Sequence, residues 1–600
     1  MTCHPSAPKA HPLRKLTKVS FPKAYIFVDS ESDVLDNVPG KLVHQFKLGV
    51  GLFAIYNSKQ RTFAFHTLKF TARDEFWREV DQFVRKHKHV VMIAHNIAYD
   101  LQILAGRTHL EAMGLHCQYA FSRTMTFISR WSGRRNDLML VNNGNWFGGT
   151  LARWGELLNI PKLSMPDKDA SVDEWFTYCT QDAFIILKLQ EFLINFLQDN
   201  ALGGWRCTLA SLAFSSFRYR FLSKKIRICD DEREQSLARA SYHGGRTECF
   251  YAGPAPEQPY YYLDINSMYP AMMLQNEFPC ECIAILKDYP PEAVESCINK
   301  YCAIADCDVI VKEPYFAYKY EGITCYPTGR LRCTLTTPEL LRALQYGKIS
   351  RIYSIAIYRK DEIFADFVNF FYSKRLEAKA AGNDLLAFMF KILLNSLYGK
   401  FGQHKYVDRV IGTAPPDSFA TLHHYDASTG ARGTIQQIGR NIIESMESGA
   451  ASNAFVAVAS HVTAYARCYL YDLILKAGRA NTYYCDTDSL IVNQQGFERL
   501  AMDVDPTTIG KLKIEDTSSI LEILAPKHYR FGDKMIRKGV GAGDPEVKAN
   551  LFKTTIWPGF TNMLKMPDGI YYNIIRNKML RPEIRSGQII SNSKVVPFNL

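Results

Sequence analysis

The sequence predicts a multidomain protein of α/β and α+β class. Its 600 residues exceed what one hydrophobic core usually serves, so several cores are expected. In the first half, apolar strand patterns alternate with helical stretches, the signature of an α/β layer. The second half mixes acid-bearing strand patterns with a helix–turn–helix pattern.

The first strand pattern, residues 25–29 (Tyr-Ile-Phe-Val-Asp), ends in an acid, and Glu31 follows two residues later. Residues two apart on extended chain share a face, so Asp29 and Glu31 can reach one metal cluster. Residues 90–94 read as a buried strand running through His95 and Asn96 into a helical stretch with Tyr99 and Asp100. Residues 175–189 read as a helix with Tyr178 and Asp182 at i, i+4. Singly, each acid has an ordinary reading: Asp29 a turn acid, Asp100 a helix N-terminal acid, Asp182 a solvated face.

Three motifs follow in order. Residues 260–265 form an apolar strand pattern in which Asp264 opens the run Asp-Ile-Asn-Ser-Met-Tyr-Pro. In residues 391–402, Lys391, Asn395 and Tyr398 fall on one helical face. Residues 483–492 are a hairpin signal, an aromatic strand, the turn Asp486-Thr-Asp488, then Leu-Ile-Val. Acids buried at strand ends repel one another and are costly to desolvate. A pair of divalent cations removes that cost, and two ions about 4 Å apart can activate an attacking oxygen and stabilise a leaving one. Lys391 offers a point charge to a triphosphate.

The order and wording of these motifs resemble motifs A, B and C of family B DNA polymerases. The resemblance implies a right-hand polymerase of palm, fingers and thumb. Asp264 and Asp488 would anchor two Mg²⁺ (or Mn²⁺) per site, with Asp486 beside them. Arg375, Lys379 and Lys391 would bind the incoming dNTP, and Asn395 and Tyr398 would face the nascent base pair. Tyr269 would exclude a 2′-OH, although packing before Pro270 is an equal reading. The upstream acids resemble the family's three exonuclease motifs. They imply a ribonuclease-H-like 3′–5′ exonuclease domain in which Asp29, Glu31, Asp100 and Asp182 hold two metals and Tyr178 orients water. Asn96, Thr150 and Leu151 would hold single-stranded primer. Lys162 reads either as a surface lysine or as one that assists this site. Residues 242–245 (Tyr-His-Gly-Gly) resemble the element linking the two activities, so Tyr242, Gly244 and Gly245 would contact DNA. Lys527 and Tyr529 resemble a Lys-x-Tyr motif on the primer strand; such contacts position DNA without reading its sequence.

Two stretches exceed what these parts need, and two insertions resemble the protein-primed branch found in phages and linear plasmids. Expected boundaries are 1–24, a basic arm; 25–205, exonuclease; 206–285, linker and palm; 286–360, a first insertion that would dock a terminal protein. They continue as 361–402, fingers; 403–450, a second insertion; 451–525, palm; 526–600, thumb and tail. Residues 404–447 read either as a surface loop or as a β-hairpin insertion with turns at Gly412, Gly430 and Gly433. The implied partners are primer-template DNA, dNTPs and a terminal protein, with the chain a monomer. Nucleic-acid priming, a nuclease whose second half only grips DNA, and a non-catalytic DNA-binding scaffold are the competing readings.

Composition fits. The net charge of +12 and pI near 8.9 favour a polyanionic partner. Fifteen scattered cysteines without C-x-x-C pairing suggest reduced thiols and an intracellular compartment, host cytoplasm or organelle matrix. No apolar run approaches the roughly 18 residues that cross a bilayer, so no membrane partner is expected. Residues 1–28 carry five basic residues, no acid and four prolines. They read either as a disordered arm or as an organellar targeting segment.

Overall fold

The computed structural model describes residues 8–123, 126–415, 418, 421–425, 432–541 and 543–600, with backbone alone at 36–37. Its first domain is built on a mixed sheet whose centre is the strand Ala24–Val38. That strand runs antiparallel to Lys41–Asn57 and parallel to His89–Ala94, which is parallel in turn to Asp137–Asn142. Both faces are covered, which is why Tyr25 to Val28 form an uninterrupted apolar run. Tyr25 and Phe27 pack toward the helix Val172–Asp199, while Ile26 and Val28 pack toward Arg73–His87. The helix Val172–Asp199 is opened by a reciprocal capping box between Ser171 and Glu174.

A second, five-stranded antiparallel sheet carries the later motifs. Its order is Thr247–Cys249, Thr482–Asp486, Ser489–Asn493, Tyr260–Ile265 and Leu512–Ser518. The helix Val456–Ala477 shares a buried core with it through Ala466, Leu470 and Ile474. The helices Ala365–Ala380 and Asp384–Ser396 form the expected helix–turn–helix. Gly382, at φ +67°, makes the turn, and the Asn383 side chain caps the second helix by accepting from the Leu386 amide at 3.0 Å.

Several boundaries differ from expectation. The arm is not loose from residue 8 onward: Ala10–Pro12 pairs with Arg227–Cys229, and Leu13 is buried. The first insertion is not separable at residue 286, because Phe278–Lys287 pairs with Gly347–Asp361 in a six-stranded sheet that also takes in the arm strand. Residues 526–600 are not one unit. His528–Phe531 and Lys534–Arg537 join a small sheet with Gly253–Pro254 and Leu521–Ala525. Tyr571–Met579 instead pairs with Lys41–Asn57 and so extends the first domain's sheet, carrying Leu551–Ile556 with it. The described residues of 404–450 form a four-stranded antiparallel sheet, in the order His404–Thr413, Asn441–Ala450, Arg432–Ile438 and Thr421–Tyr425. Its turn glycine is Gly439, at φ +62°. Gly412 and Gly433 lie inside strands, and Gly430 falls outside the described residues. Every described cysteine is free, and among the described residues no helix is long and apolar enough to cross a membrane.

Two candidate carboxylate sites

The palm-like sheet brings Asp264 and Asp488 to one cleft of about 430 Å³, lined also by Ser267, Tyr269, Arg375, Lys391, Asn395, Tyr398, Lys513 and Glu515. Asp264 sits near the end of its strand, opposite Ser489 on one side and Lys513 on the other. The hairpin turn puts Thr487 in left-handed backbone at φ +62°, held by its amide donating to Arg246 O at 2.7 Å. The Asp488 carbonyl accepts from the Ile265 amide at 2.7 Å, locking the two acid-bearing strands together. Burial, then the charge of Asp264, pushes the Asp488 carboxyl up to about 6. Burial raises Asp264 as well, against the pull of Lys513, whose Nζ is 3.3 Å from Asp264 Oδ2.

Opposite the acids stands a group of cations that weaken one another. Burial lowers Lys391, with Arg375 and Lys513 adding to the shift; Arg375 is the first cause that lowers Lys379. Arg375 is itself lowered by burial and donates to Ser267 Oγ at 2.9 Å. Under-neutralised cations facing a raised acid pair suit a polyanion that arrives with divalent ions. Tyr269 and Tyr398 lie with ring centroids 4.6 Å apart. At Gly245 a Cβ would come within 2.8 Å of Thr487 Cγ2 and 3.1 Å of the Tyr269 hydroxyl, so only glycine fits against the turn. Gly244 has open space around it, and the Tyr242 ring packs where Gly402 would carry a Cβ.

Asp486 does not line this cleft, although its charge adds to the rise at Asp488. It accepts from Thr247 Oγ1 at 2.9 Å and pairs with Lys527 Nζ at 3.2 Å. Lys527 is at φ +61°, and the Tyr529 ring packs 4.8 Å from Tyr484, so both residues flank the hairpin rather than the acid pair. Lys513 and Glu515, which pair with each other, lie in the stretch Ile509-Gly-Lys-Leu-Lys-Ile-Glu515 that resembles a further element of the family, but the sequence assigns neither a role beside Asp264. The only signal was the alternation Lys511-Leu-Lys513-Ile-Glu515 on a strand.

The first domain gathers a second set of acids. Asp100 and Asp182 are buried, and Asp29 and Glu31 are half-buried on the central strand. Burial raises the pKa of all four carboxyls; mutual repulsion adds to the shift at Asp29, Glu31 and Asp100. Ser30 Oγ donates to Asp100 at 2.7 Å, and Cys179 Sγ to Asp29 at 3.1 Å. Lys162 is not a free surface lysine. Its Nζ pairs with Asp182 and donates to the Tyr178 hydroxyl at 2.7 Å, and these bonds hold its pKa up against burial. Asn96 is exposed at the start of its helix. Thr150 caps the helix Leu151–Leu157, while Leu151 is buried in the core.

Among the described residues, no three Asp, Glu, His or Cys groups converge as a ready-made ligand cluster. Mg²⁺ commonly takes one or two carboxylates and completes its shell with water and substrate phosphates, and these donor sets fit that mode. Asp182 Oδ1 is buried with no hydrogen-bond partner, an open acceptor of the kind a cation satisfies.

The raised acids make a pH prediction. With folded pKa values above those of the unfolded chain, the folded state holds more protons above about pH 4, so stability falls as pH rises through that window. Thermal melting in EDTA should therefore show Tm falling between pH 5 and pH 8. Mg²⁺ should restore more at pH 8, and Asp29→Ala with Glu31→Ala should flatten the slope. A slope unchanged by that double substitution contradicts this reading.

An α/β acid-bearing domain joined to a palm-like sheet with a helical pair opposite defines the architecture of a right-hand polymerase with an exonuclease-type domain. A structure of Phi29 DNA polymerase complexed with primer-template DNA and incoming nucleotide substrates has this fold. It matches with a TM-score of 0.67 over 93% of this chain and 100% of that one, at 16% identity. The family described as DNA polymerase type B, organellar and viral, matches residues 162–474, and the chain belongs to it. A probable DNA polymerase of Neurospora intermedia is 22% identical over 336 residues, 54% of this chain and 33% of the relative. The DNA polymerase of Streptococcus phage Cp-1 is 25% identical over 378 residues, 59% and 61% of the two chains. The match thus spans less than two thirds of these relatives.

Proposed function

We propose that the chain is a DNA-templated DNA polymerase that adds dNTPs to a 3′-hydroxyl and removes mispaired 3′ ends at a separate exonuclease site. The observation that carries this is one cleft lined by Asp264 and Asp488 together with Lys391 and Arg375 of the helical pair, with Lys513 beside Asp264 on the neighbouring strand. Asp264 and Asp488 would hold two divalent ions, which when bound would polarise the attacking oxygen and stabilise the leaving pyrophosphate. Arg375 and Lys391 grip the triphosphate, and Asn395 and Tyr398 receive the new base pair. Asp29, Glu31, Asp100 and Asp182 serve the hydrolytic site, where Lys162 fixes the Tyr178 hydroxyl. Purified chain should extend a primer with Mg²⁺ and four dNTPs. No extension with either Mg²⁺ or Mn²⁺ overturns the reading.

Tyr269 takes the role of sugar discriminator on this account. Its ring is packed against Tyr398 with the hydroxyl toward Gly245. Tyr269→Val should raise ribonucleotide incorporation about tenfold or more, the scale of one lost steric contact. An unchanged deoxy-to-ribo ratio would make it a packing residue.

Two sequence insertions favour protein priming in a host cell or organelle. The second insertion leans on the exonuclease domain: the Arg440 amide donates to Glu111 at 3.1 Å, and Asn441 Nδ2 to Cys117 O at 2.9 Å. Its exposed Lys405, Arg409, Arg432 and Arg440 can meet phosphates. We read it as a DNA-encircling element. Deleting residues 413–433 should leave single-nucleotide addition near normal while trapped product length drops several-fold and extension through duplex stops. Unchanged lengths would return the segment to a surface role. Radioactive nucleotide transfer to a candidate terminal protein tests the priming mode.

A further inference from the structure

The C-terminal segment forms a wall beside the exonuclease acids. Tyr571 stands opposite His44 in the extended sheet, with ring centroids 5.2 Å apart. Tyr571 also lies 4.9 Å from Tyr99, whose hydroxyl donates to Ser32 Oγ at 2.7 Å. The charges of Asp100 and Glu31 both act on the Tyr99 hydroxyl, so this aromatic group lies beside the acids. Trp557 is mounted on it, 5.8 Å from His44, 6.1 Å from Tyr571 and 6.5 Å from Tyr99 between centroids. Trp557 is nonetheless 58% exposed. Two polar atoms at the base of the wall, His44 Nε2 and the Tyr571 hydroxyl, are buried without a hydrogen-bond partner, although His44 is 6% and Tyr571 0% exposed.

A lone exposed tryptophan needs no explanation on a protein surface. One seated on an aromatic base, next to clustered acids and above unpartnered polar atoms, is different. It presents a flat apolar plane mounted on packed aromatic rings. Every base has a π-face, so such a plane binds single strands without sequence preference.

We propose that Trp557 is a stacking platform for a base of the single strand whose 3′ end is held at Asp29, Glu31, Asp100 and Asp182. The proposal rests on the exonuclease reading above. It makes the C-terminal segment a structural part of a site whose acids all lie in the first domain. Trp557 is a positioning residue, since it touches a base and not the scissile phosphate. Its loss should raise KM for single strands and leave kcat within about twofold.

The test uses the full chain in EDTA, so that no strand is cut. Single-stranded oligothymidylate carries 2-aminopurine at each of the four 3′-terminal positions in turn. One position should be quenched on binding. Trp557→Ala and Trp557→Leu should both abolish that quench and weaken binding about tenfold, the scale of one lost base stack. Trp557→Phe should retain most of both. The leucine variant keeps apolar packing without a π-face, so it separates stacking from support of the fold. Leucine matching phenylalanine, or a quench profile indifferent to all three substitutions, overturns the proposal. The underlying reading fails separately: persistent degradation by the Asp29→Ala, Glu31→Ala protein would discard the hydrolytic site whatever the quench profile.

Discussion

Asp488→Asn should abolish primer extension, by roughly 10³-fold or more, while degradation of single-stranded DNA continues at the rate of the unsubstituted protein. The size of the effect follows from what the carboxylate would hold under the proposed function. A divalent ion at the reacting phosphate is worth several kcal/mol of charge stabilisation, and asparagine keeps the shape but gives up the charge that retains the ion. The substitution should not harm the fold. Asp488 is pushed up to about 6 by burial and by Asp264, so a neutral group there relieves repulsion in the metal-free protein. The hairpin is held by backbone bonds from Ile265 and Thr487 that asparagine leaves intact. A stable protein that still extends primers would remove the polymerase assignment.

Asp29→Ala combined with Glu31→Ala should have the reciprocal effect. Degradation of 3′ ends should fall by roughly 10³-fold, again the scale of a lost metal anchor, with extension retained and misincorporation raised. Both residues lie on one face of the central strand Ala24–Val38, whose register is fixed by its neighbours Lys41–Asn57 and His89–Ala94. Alanine there deletes charge without emptying the core. The two sites sit on different sheets, so their losses should be independent. Degradation at an unchanged rate would place the nuclease elsewhere or remove it.

The acids of both sites were legible because each is spelled locally. A strand pattern ending in Asp, a helix carrying Lys391 and Asn395, and an Asp-Thr-Asp turn each announce themselves within a dozen residues, although the helix ends at Ser396 and Tyr398 opens a separate short helix, Tyr398–Phe401. The helix–turn–helix was legible for the same reason, through Gly382 and Asn383. Lys513 was not, because its place beside Asp264 is a matter of strand register, and periodicity names no partner strand. The same limit hid the pairing of Tyr571–Met579 with Lys41–Asn57 and of Ala10–Pro12 with Arg227–Cys229. It also hid the orientation of Asp486. Alternation along the hairpin puts Asp486 and Asp488 two residues apart, yet the left-handed Thr487 turns them to different partners. The glycines of the second insertion misled for a related reason: Gly433 sits where Met446 crosses it, not at a turn.

Under the proposed function, one chain carries two separate metal-dependent sites acting in opposite directions on the same 3′ end. A 5′-labelled primer on a template, incubated with Mg²⁺ across a range of dNTP concentrations, measures it directly. The primer should shorten without dNTPs, lengthen at high dNTP, and cross over between. Asp488→Asn should shorten at every concentration, and the Asp29→Ala, Glu31→Ala protein should lengthen or stand still. A chain that shortens but never lengthens the primer at any dNTP concentration would contradict the account.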